Sequence, residues 1–176
     1  TNPFTSLLLP VGISFYIFQA LGYSIDVYRG DLPAEKDFLK YALFVSFFPQ
    51  LVAGPIERSK NLLNQFDEVH QFDYRRMCDG LLQMLWGYFL KLMVADRVSI
   101  LVDHVYKADI VEGRFYLLAS VLFAFQIYCD FAAYSTIAIG CARVMGFTLM
   151  ENFNAPYLSQ SVAEFWRRWH ISLSTW

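Results

Sequence analysis

The longest apolar run in the chain, residues 115–144, reads FYLLASVLFAFQIYCDFAAYSTIAIGCARV and decides the class of the fold. It is uncharged until Asp130, and as a helix it is long enough to cross a hydrocarbon core of about 30 Å. Gln126, Asp130 and Tyr134 recur every four residues and therefore share one helix face. A carboxylate at this depth costs roughly 2.5–3.5 kcal/mol to insert. Asp130 therefore either supports a functional site or makes a structural bond to another helix.

The composition also indicates a membrane protein. The chain is 56% hydrophobic, 18% aromatic and 17% charged, whereas soluble domains average about 45–50% apolar and about 25% charged residues. Its net charge of −2 argues against a nucleic-acid partner, which would require a basic surface. The three cysteines have no metal-ligand spacing, so we interpret them as small apolar core residues and expect no metal site.

Three further apolar segments lie at residues 4–25, 38–53 and 80–95. The first is uncharged and reaches spanning length. As a helix it carries a polar stripe on one face, made of Gly12, Tyr16, Gln19, Tyr23 and Asp26. We expect that face to contact protein or a water-filled cavity, because lipid offers polar groups no partner. Lys91 near the end of the third segment is predicted to extend its ammonium group to the membrane surface, and residues 96–113 are predicted to form a charged linker.

The segment at 38–53 is too short for a regular spanning helix and contains Lys40 and Pro49. Gly54 and Pro55 end it, which predicts broken helix that packs against protein or lines a cavity. The next residues, 59–79, are polar and predict a surface loop with a short amphipathic helix. Together these patterns predict an all-α, multi-pass transmembrane fold with a re-entrant element.

Residues 164–176, EFWRRWHISLSTW, contain His170 and three of the four tryptophans. If this segment is one helix, an aromatic stripe surrounds the histidine, formed by Trp166, Trp169, Leu173 and Trp176. The residues alone leave three interpretations open. The chain is a membrane enzyme with His170 as general base, a transporter in which Asp130 and His170 relay protons, or a protein whose aromatic stripe only anchors it at the membrane surface.

Four stretches in order resemble the membrane-bound O-acyltransferase family, in particular its bacterial branch that contains the alginate O-acetylation membrane subunit. They are PVGISFYIFQ at 10–19, FPQLVAGPI at 48–56, DFAAYS at 130–135 and EFWRRWHISLS at 164–174. The family often has a second carboxylate after the third stretch, where this chain has Thr136. His170 matches the earlier of two family histidines. No residue here matches the later one.

The resemblance implies that residues 1–176 are part of a membrane-bound O-acyltransferase domain. The implied activity is transfer of an acyl group, in this branch acetyl, from a thioester donor such as acetyl-CoA to hydroxyls of an exported polysaccharide such as alginate. It implies no bound cofactor, a bacterial inner-membrane location in contact with lipid, and a periplasmic acetyltransferase as partner protein. The alternatives within the family are peptidoglycan O-acetylation and D-alanyl transfer to teichoic acid. Outside it, a transporter or non-catalytic scaffold remains the competing hypothesis.

The resemblance makes His170 the candidate catalytic residue, as the base itself or as the group that orients a second histidine. Five residues are candidates for supporting the site: Asp130, Glu57, Gln19, Tyr134 and Asn152. Arg167 and Arg168 either bind phosphates of the donor or anchor the chain at an anionic membrane surface. An apolar environment favours neutral imidazole, the form that accepts a proton, and aromatic side chains exclude the water that would hydrolyse a thioester. Because the chain starts without Met, we expect an internal piece of a longer polypeptide. Because this piece holds at most one of the two family histidines, we expect it to be inactive alone.

Overall fold

The computed structural model describes residues 12–51, 54–108 and 112–176. Its eight α-helices are α1 Ile13–Arg29, α2 Phe38–Val45, α3 Ser59–Gln65, α4 Tyr74–Phe89, α5 Asp96–Lys107, α6 Gly113–Met145, α7 Val162–Arg168 and α8 Ile171–Ser174. Short 3-10 helices occupy Phe48–Gln50 and Pro156–Leu158, and a π-helix, Leu90–Ala95, joins α4 to α5. The described residues form no strand, only an isolated bridge between Phe153 and Trp169. The all-α prediction is confirmed.

Helix α6 coincides with the apolar run that decides the class of the fold. It has 33 residues, and among the described helices it alone has the length and apolar composition to cross a membrane. Gly146 ends it in the left-handed conformation, at φ 100°, and its N–H bonds back to the last turn. Helices α4 and α5 and the π-helix between them pack against α6.

Helix α4 packs closely along α6 in the opposite direction. A Cβ at Gly80 would lie 2.7 Å from the carbonyl oxygen of Gly140, and one at Gly87 would lie 2.9 Å from that of Ala133. Small residues at such positions let two helix backbones approach each other, as they do in membrane helix pairs. Apolar side chains on the outer faces of both helices, Leu82 and Leu117 among them, are exposed.

The predicted linker at 96–113 is wrong over residues 96–107, which form α5. The helix continues because Leu90–Ala95 adopts π-helical hydrogen bonding instead of ending. Helix α5 then packs against α6 and buries Val102. The charged residues Arg97, Asp103 and Lys107 are exposed on the outer face of this helix, so they do not indicate an irregular segment.

The predicted extension of Lys91 to the membrane surface stays a prediction, but the structure gives its ammonium group two carboxylate partners. Its Nζ atom lies 2.6 Å from Oδ1 of Asp130 and 2.7 Å from Oδ1 of Asp96, and 5.4 Å from the ring centre of Tyr134. In an α-helix, residues 91 and 96 would point about 140° apart, but i→i+5 bonding aligns them on one face. Asp130 thus has the interhelical partner that its position requires.

The broken element predicted at 38–53 is confirmed for its described part. Helix α2 ends at Val45, a 3-10 helix containing Pro49 follows, and residues 52 and 53 lie outside the described residues. Its aromatic side chains join α3 and α6 in the main core cluster, which consists of Phe44, Phe47, Leu62, Leu63, Ile139, Ala142 and Leu149. The element therefore packs against protein, as its sequence predicts.

The polar stripe of α1 also faces protein. The hydroxyl oxygen of Tyr23 accepts a hydrogen bond of 2.7 Å from the backbone N–H of Glu35, and Gln19 is buried. A Cβ at Gly12 would collide with the carbonyl oxygen of Leu51. The expected orientation of this face is confirmed for residues 12–29, whereas residues 4–11 lie outside the described part.

Candidate active site

His170 does not lie within one continuous helix. Helix α7 ends at Arg168, Trp169 is extended, and His170 adopts the left-handed conformation with φ 45° and ψ 54° before α8 begins. The single aromatic face predicted for residues 164–176 is therefore wrong. A non-glycine residue in this region costs on the order of 1–3 kcal/mol and persists only where its surroundings hold it in place.

Backbone pairing with the segment 152–154 causes this break. The N–H of Asn154 donates to the carbonyl of Arg168, and the N–H of Ile171 donates to the carbonyl of Asn152, both at 2.9 Å. Between these bonds, Phe153 and Trp169 form the antiparallel bridge. Hydrogen bonds before and after His170 thus prevent α7 from continuing through it.

Asn152 connects three elements through its side chain. It is 1% exposed, and its Nδ2 donates to Oγ of Ser135 on α6 at 2.9 Å. Its Oδ1 accepts from Oγ of Ser172 at 2.5 Å and from the N–H of Ser172 at 3.3 Å. Each bond contributes about 0.5–1.5 kcal/mol net, so together they are comparable with the backbone strain at His170.

Sequence reasoning selected Asn152 but missed Ser135 and Ser172. Both hydroxyls are buried, and both bond to Asn152. The available signal was the presence of small polar residues inside two of the four family-like stretches. Residue type alone did not identify them, because serine also occurs at exposed positions of the same elements, such as Ser174.

The imidazole of His170 is half-buried and packs edge-on against Phe131 of α6, with ring centres 4.7 Å apart. Its Nε2 is buried and has no hydrogen-bond partner among the described residues. Burial lowers the pKa of His170 below its ordinary value. The ring is therefore neutral near pH 7, and no hydrogen bond from the described residues occupies Nε2.

Aromatic side chains surround the residue before the histidine. The ring of Trp169 lies 5.0 Å from that of Phe153 and stacks on Phe165 at 5.5 Å, with Tyr128 and Tyr157 each at 6.2 Å. Phe153 in turn contacts Phe131, the partner of His170. This cluster forms an apolar wall on one side of the site, which excludes water from the adjoining surface.

Glu57, which follows the broken element, bonds to the segment that precedes Asn152. Its side chain is 4% exposed, and Oε2 accepts a bond of 2.8 Å from the N–H of Met150. Its Oε1 accepts a bond of 3.0 Å from Nδ2 of Asn61. Because Met150 precedes Asn152 by two residues, Glu57 anchors the segment that holds His170. The neighbouring Arg58 donates to the carbonyl of Thr175 after α8.

Asp130 and Tyr134 face away from the histidine. Successive residues of a helix point about 100° apart, so Phe131 meets His170 while Asp130 is bonded to Lys91 on the other side of α6. Tyr134 lies beside the same ammonium group. The structure therefore places both in an interhelical charge cluster and brings neither to the imidazole.

Gln19 lies at the edge of the terminal segment. Its Nε2 is buried without a partner among the described residues, and its neighbour Phe18 packs against Trp176 with ring centres 5.5 Å apart. Helix α1 thus reaches the end of α8. No hydrogen bond joins Gln19 to His170 among the described residues.

The two arginines of α7 differ in their surroundings. Nη2 of Arg168 lies 2.6 Å from Oε1 of Glu164, and the pKa of Glu164 is lowered, first by the N–H of Gln160 and then by Arg168. Arg167 is exposed, and its Nε donates to the carbonyl of Ala163 at 3.3 Å. Of the two, Arg167 is the better placed to bind an anion.

A small polar cavity of about 210 Å³ adjoins Asn152 between α4, α6 and the segment 151–153. Its lining includes Ser135, Thr136 and Gln83, and the buried Oε1 of Gln83 has no partner in the described part of the chain. Among residues 12–51, 54–108 and 112–176, no group of three His, Cys, Asp or Glu side chains is arranged to hold a metal ion.

The family model of MBOAT, the membrane-bound O-acyltransferase family, matches residues 32–176. The "Probable alginate O-acetylase AlgI" of Pseudomonas putida is 46% identical over 173 residues, which is 98% of this chain and 35% of that protein. The peptidoglycan O-acetyltransferase of Helicobacter pylori is 35% identical, over 96% of this chain and 37% of that protein. The teichoic acid D-alanyltransferase of Streptococcus thermophilus is 33% identical, over 99% of this chain and 44% of that protein. The chain spans about a third of the length of the alginate O-acetylases it matches.

Proposed function

Because this chain belongs to the membrane-bound O-acyltransferase family, we propose that it is part of a multi-pass O-acyltransferase of the bacterial inner membrane. The enzyme transfers acetyl from a thioester donor such as acetyl-CoA toward hydroxyls of an exported polysaccharide such as alginate. The observation that carries the proposal is His170, held in a strained backbone conformation with a buried, unpartnered Nε2 beside an aromatic wall.

The chemistry follows from these features of His170. A hydroxyl becomes a competent nucleophile when a base accepts its proton as the oxygen attacks the thioester carbonyl carbon. The carbon–sulfur bond then breaks, and the proton passes to the leaving thiolate. A neutral imidazole with a free nitrogen is suited to accept and return that proton. His170 acts as this base or orients the group that does, and either role requires its fixed position.

The exposed apolar faces of α4 and α6 support a location in the bilayer. Both faces carry large apolar side chains that water would not favour, and α6 is long enough to span. The ion pair between Lys91 and Asp130 lies on the face of α6 that meets α4, where a charged side chain is compensated. These features support a location in the membrane, and several spanning helices are proposed from the family to which the chain belongs.

The donor and partners follow from the same proposal. The exposed guanidinium of Arg167, one residue before the ion-paired Arg168, supplies an anion-binding group for phosphates of the donor. A periplasmic acetyltransferase would accept acetyl on the other side of the membrane. The alginate O-acetylases are at 46% identity and the peptidoglycan and teichoic acid enzymes at 35% and 33%, which favours alginate as the acceptor.

The test is His170→Ala in the complete protein, with His104→Ala as control, because His104 is exposed on α5. Membrane insertion is measured beside acetyl content of alginate, with acetyl-peptidoglycan and D-alanyl-teichoic acid measured in parallel. We expect His170→Ala to lose acetylation at unchanged membrane level and His104→Ala to keep it. Normal acetylation in His170→Ala would refute the proposal. Substrate flux that depends on Asp130 without an acyl donor would favour a transporter instead.

A further inference from the structure

The buried chain of hydrogen bonds from Ser135 through Asn152 to Ser172 links α6 to the start of α8. Its bonds measure 2.9 Å and 2.5 Å, and its three side chains are at most 2% exposed. Polar side chains buried among apolar helices are costly unless they satisfy one another, as these do. Helix packing alone does not require them at this place.

This chain of bonds restrains the backbone on both sides of His170. The N–H of Ile171 bonds to the main chain of Asn152 and that of Ser172 to its side chain. On the other side, Asn154 bonds the carbonyl of Arg168. The carbonyl of His170 itself accepts from the N–H groups of Leu173 and Ser174, both at 3.0 Å. The direction of the imidazole therefore depends on the position of Asn152.

We propose that Ser135, Asn152 and Ser172 are positioning residues that hold the unpartnered Nε2 of His170 toward the reacting hydroxyl. They do not contact substrate. They keep the left-handed turn at His170 from relaxing into the helical geometry of its neighbours. This inference rests on the proposed function, because it assigns the three residues to the acyl-transfer step of that same site. A displacement of about 1 Å in such a group can cost about a hundredfold in rate.

The first experiment compares Ser172→Ala with Ser174→Ala in the complete protein, measuring kcat and the KM for the thioester donor in membrane vesicles. The hydroxyl of Ser172 donates to Asn152, whereas the exposed hydroxyl of Ser174 donates to the carbonyl of Ile171 within its own turn. We expect Ser172→Ala to lower kcat tenfold to a hundredfold with KM within about twofold. Ser174→Ala should retain wild-type values. Equal kcat in the two variants would overturn the inference.

The pH profile separates positioning from general destabilisation. The titratable groups nearest in sequence to the residues that contact His170 and its neighbours are Tyr128, Cys129, Asp130 and Tyr134 on α6, Glu151 beside Asn152, and Glu164, Arg167 and Arg168 on α7. Burial, not these groups, lowers the pKa of His170. If the ring leaves its buried position in Ser172→Ala, the acid limb of kcat moves to higher pH. A lower kcat with an unchanged pH profile, matched by an equal loss of folded protein in the membrane, would mean only a smaller folded fraction and would overturn the inference.

A second set of variants remains informative if Ser172→Ala folds poorly. Ser135→Ala on α6 is paired with Ser120→Ala, whose exposed hydroxyl bonds the carbonyl of Tyr116 and the hydroxyl of Tyr106 on α5 and none of the groups that hold His170. Asn152→Asp keeps an acceptor for Ser172, and the hydroxyl of Ser135 can turn to donate to it. We expect Asn152→Asp to have at least tenfold higher kcat than Asn152→Leu, and equal kcat in both would contradict positioning. If His170→Ala loses activity while Ser135→Ala and Ser172→Ala keep wild-type activity, only this inference is overturned. If His170→Ala keeps normal activity, the proposed function is overturned as well.

Discussion

Replacing Lys91 with Met removes the one cation that lies between Asp130 and Asp96 in the described structure. The side chains of Lys91 and Asp130 are 24% and 45% exposed, and the exposed part of α6 is the surface that suits a bilayer. An unpaired carboxylate in that location costs roughly 2.5–3.5 kcal/mol. The exposed pair of Lys107 and Asp103 is an i,i+4 pair with side chains 75% and 59% exposed, worth only about 0.3–0.5 kcal/mol.

We therefore expect Lys91→Met to reduce stability far more than Lys107→Met. The measurements are the membrane-inserted fraction of the complete protein and its thermal midpoint in detergent. Lys91→Met combined with Asp130→Leu should recover part of the loss, because it removes one of the two carboxylates left unpaired while Asp96 remains. Asp130→Asn alone should be milder, since Lys91 keeps Asp96. Equal effects of Lys91→Met and Lys107→Met, or no recovery in the double variant, would refute the reasoning.

Gly140→Leu should separate α4 from α6 and destabilise the protein by more than the 1–3 kcal/mol typical of overpacking, because even a Cβ at this position meets the backbone of α4. Gly113→Ala should be neutral in the same thermal denaturation, because a Cβ there would have no neighbouring atom within 4 Å. Because burial lowers the pKa of His170 and the neutral ring is the active form, the acid limb of kcat should lie below pH 6.5; a limb above that value in the pH–rate profile would contradict the buried imidazole. Glu57→Ala removes both acceptor oxygens, leaves the N–H of Met150 unpaired and should cost about 1–3 kcal/mol and most acetylation. Exposed Glu68→Ala should change neither the thermal midpoint nor the acetyl content of the polymer.

Residue patterns predicted the elements whose structure is local. The apolar run at 115–144 predicted α6, and Pro49 with Gly54 predicted the break after α2, because length, hydropathy and backbone restrictions are properties of the segment itself. The charged residues of 96–107 misled the prediction. Whether they form a linker or the outer face of α5 depends on the π-helix and on packing against α6.

The candidate site was predictable in its residue types but not in its geometry. The family resemblance selected His170, Asn152 and Glu57, and the structure connects these three through the segment 150–154. The break at His170 arises from pairing with Phe153, which is distant in sequence, so helical periodicity could not reveal it. The same reasoning placed Asp130 near the site because it lacked the partner, Lys91, that only the folded helix pair supplies.

The left-handed backbone at His170 restricts which side chains the position tolerates. Glycine adopts this conformation at no steric cost, asparagine and aspartate adopt it with little, and β-branched residues strongly disfavour it. Substitution by Val or Ile would therefore damage the turn as well as remove the imidazole. Asn is the replacement that removes the basic ring while keeping the backbone. A full set of substitutions at this one position would thus separate two requirements on the same residue, one set by main-chain shape and the other by proton transfer.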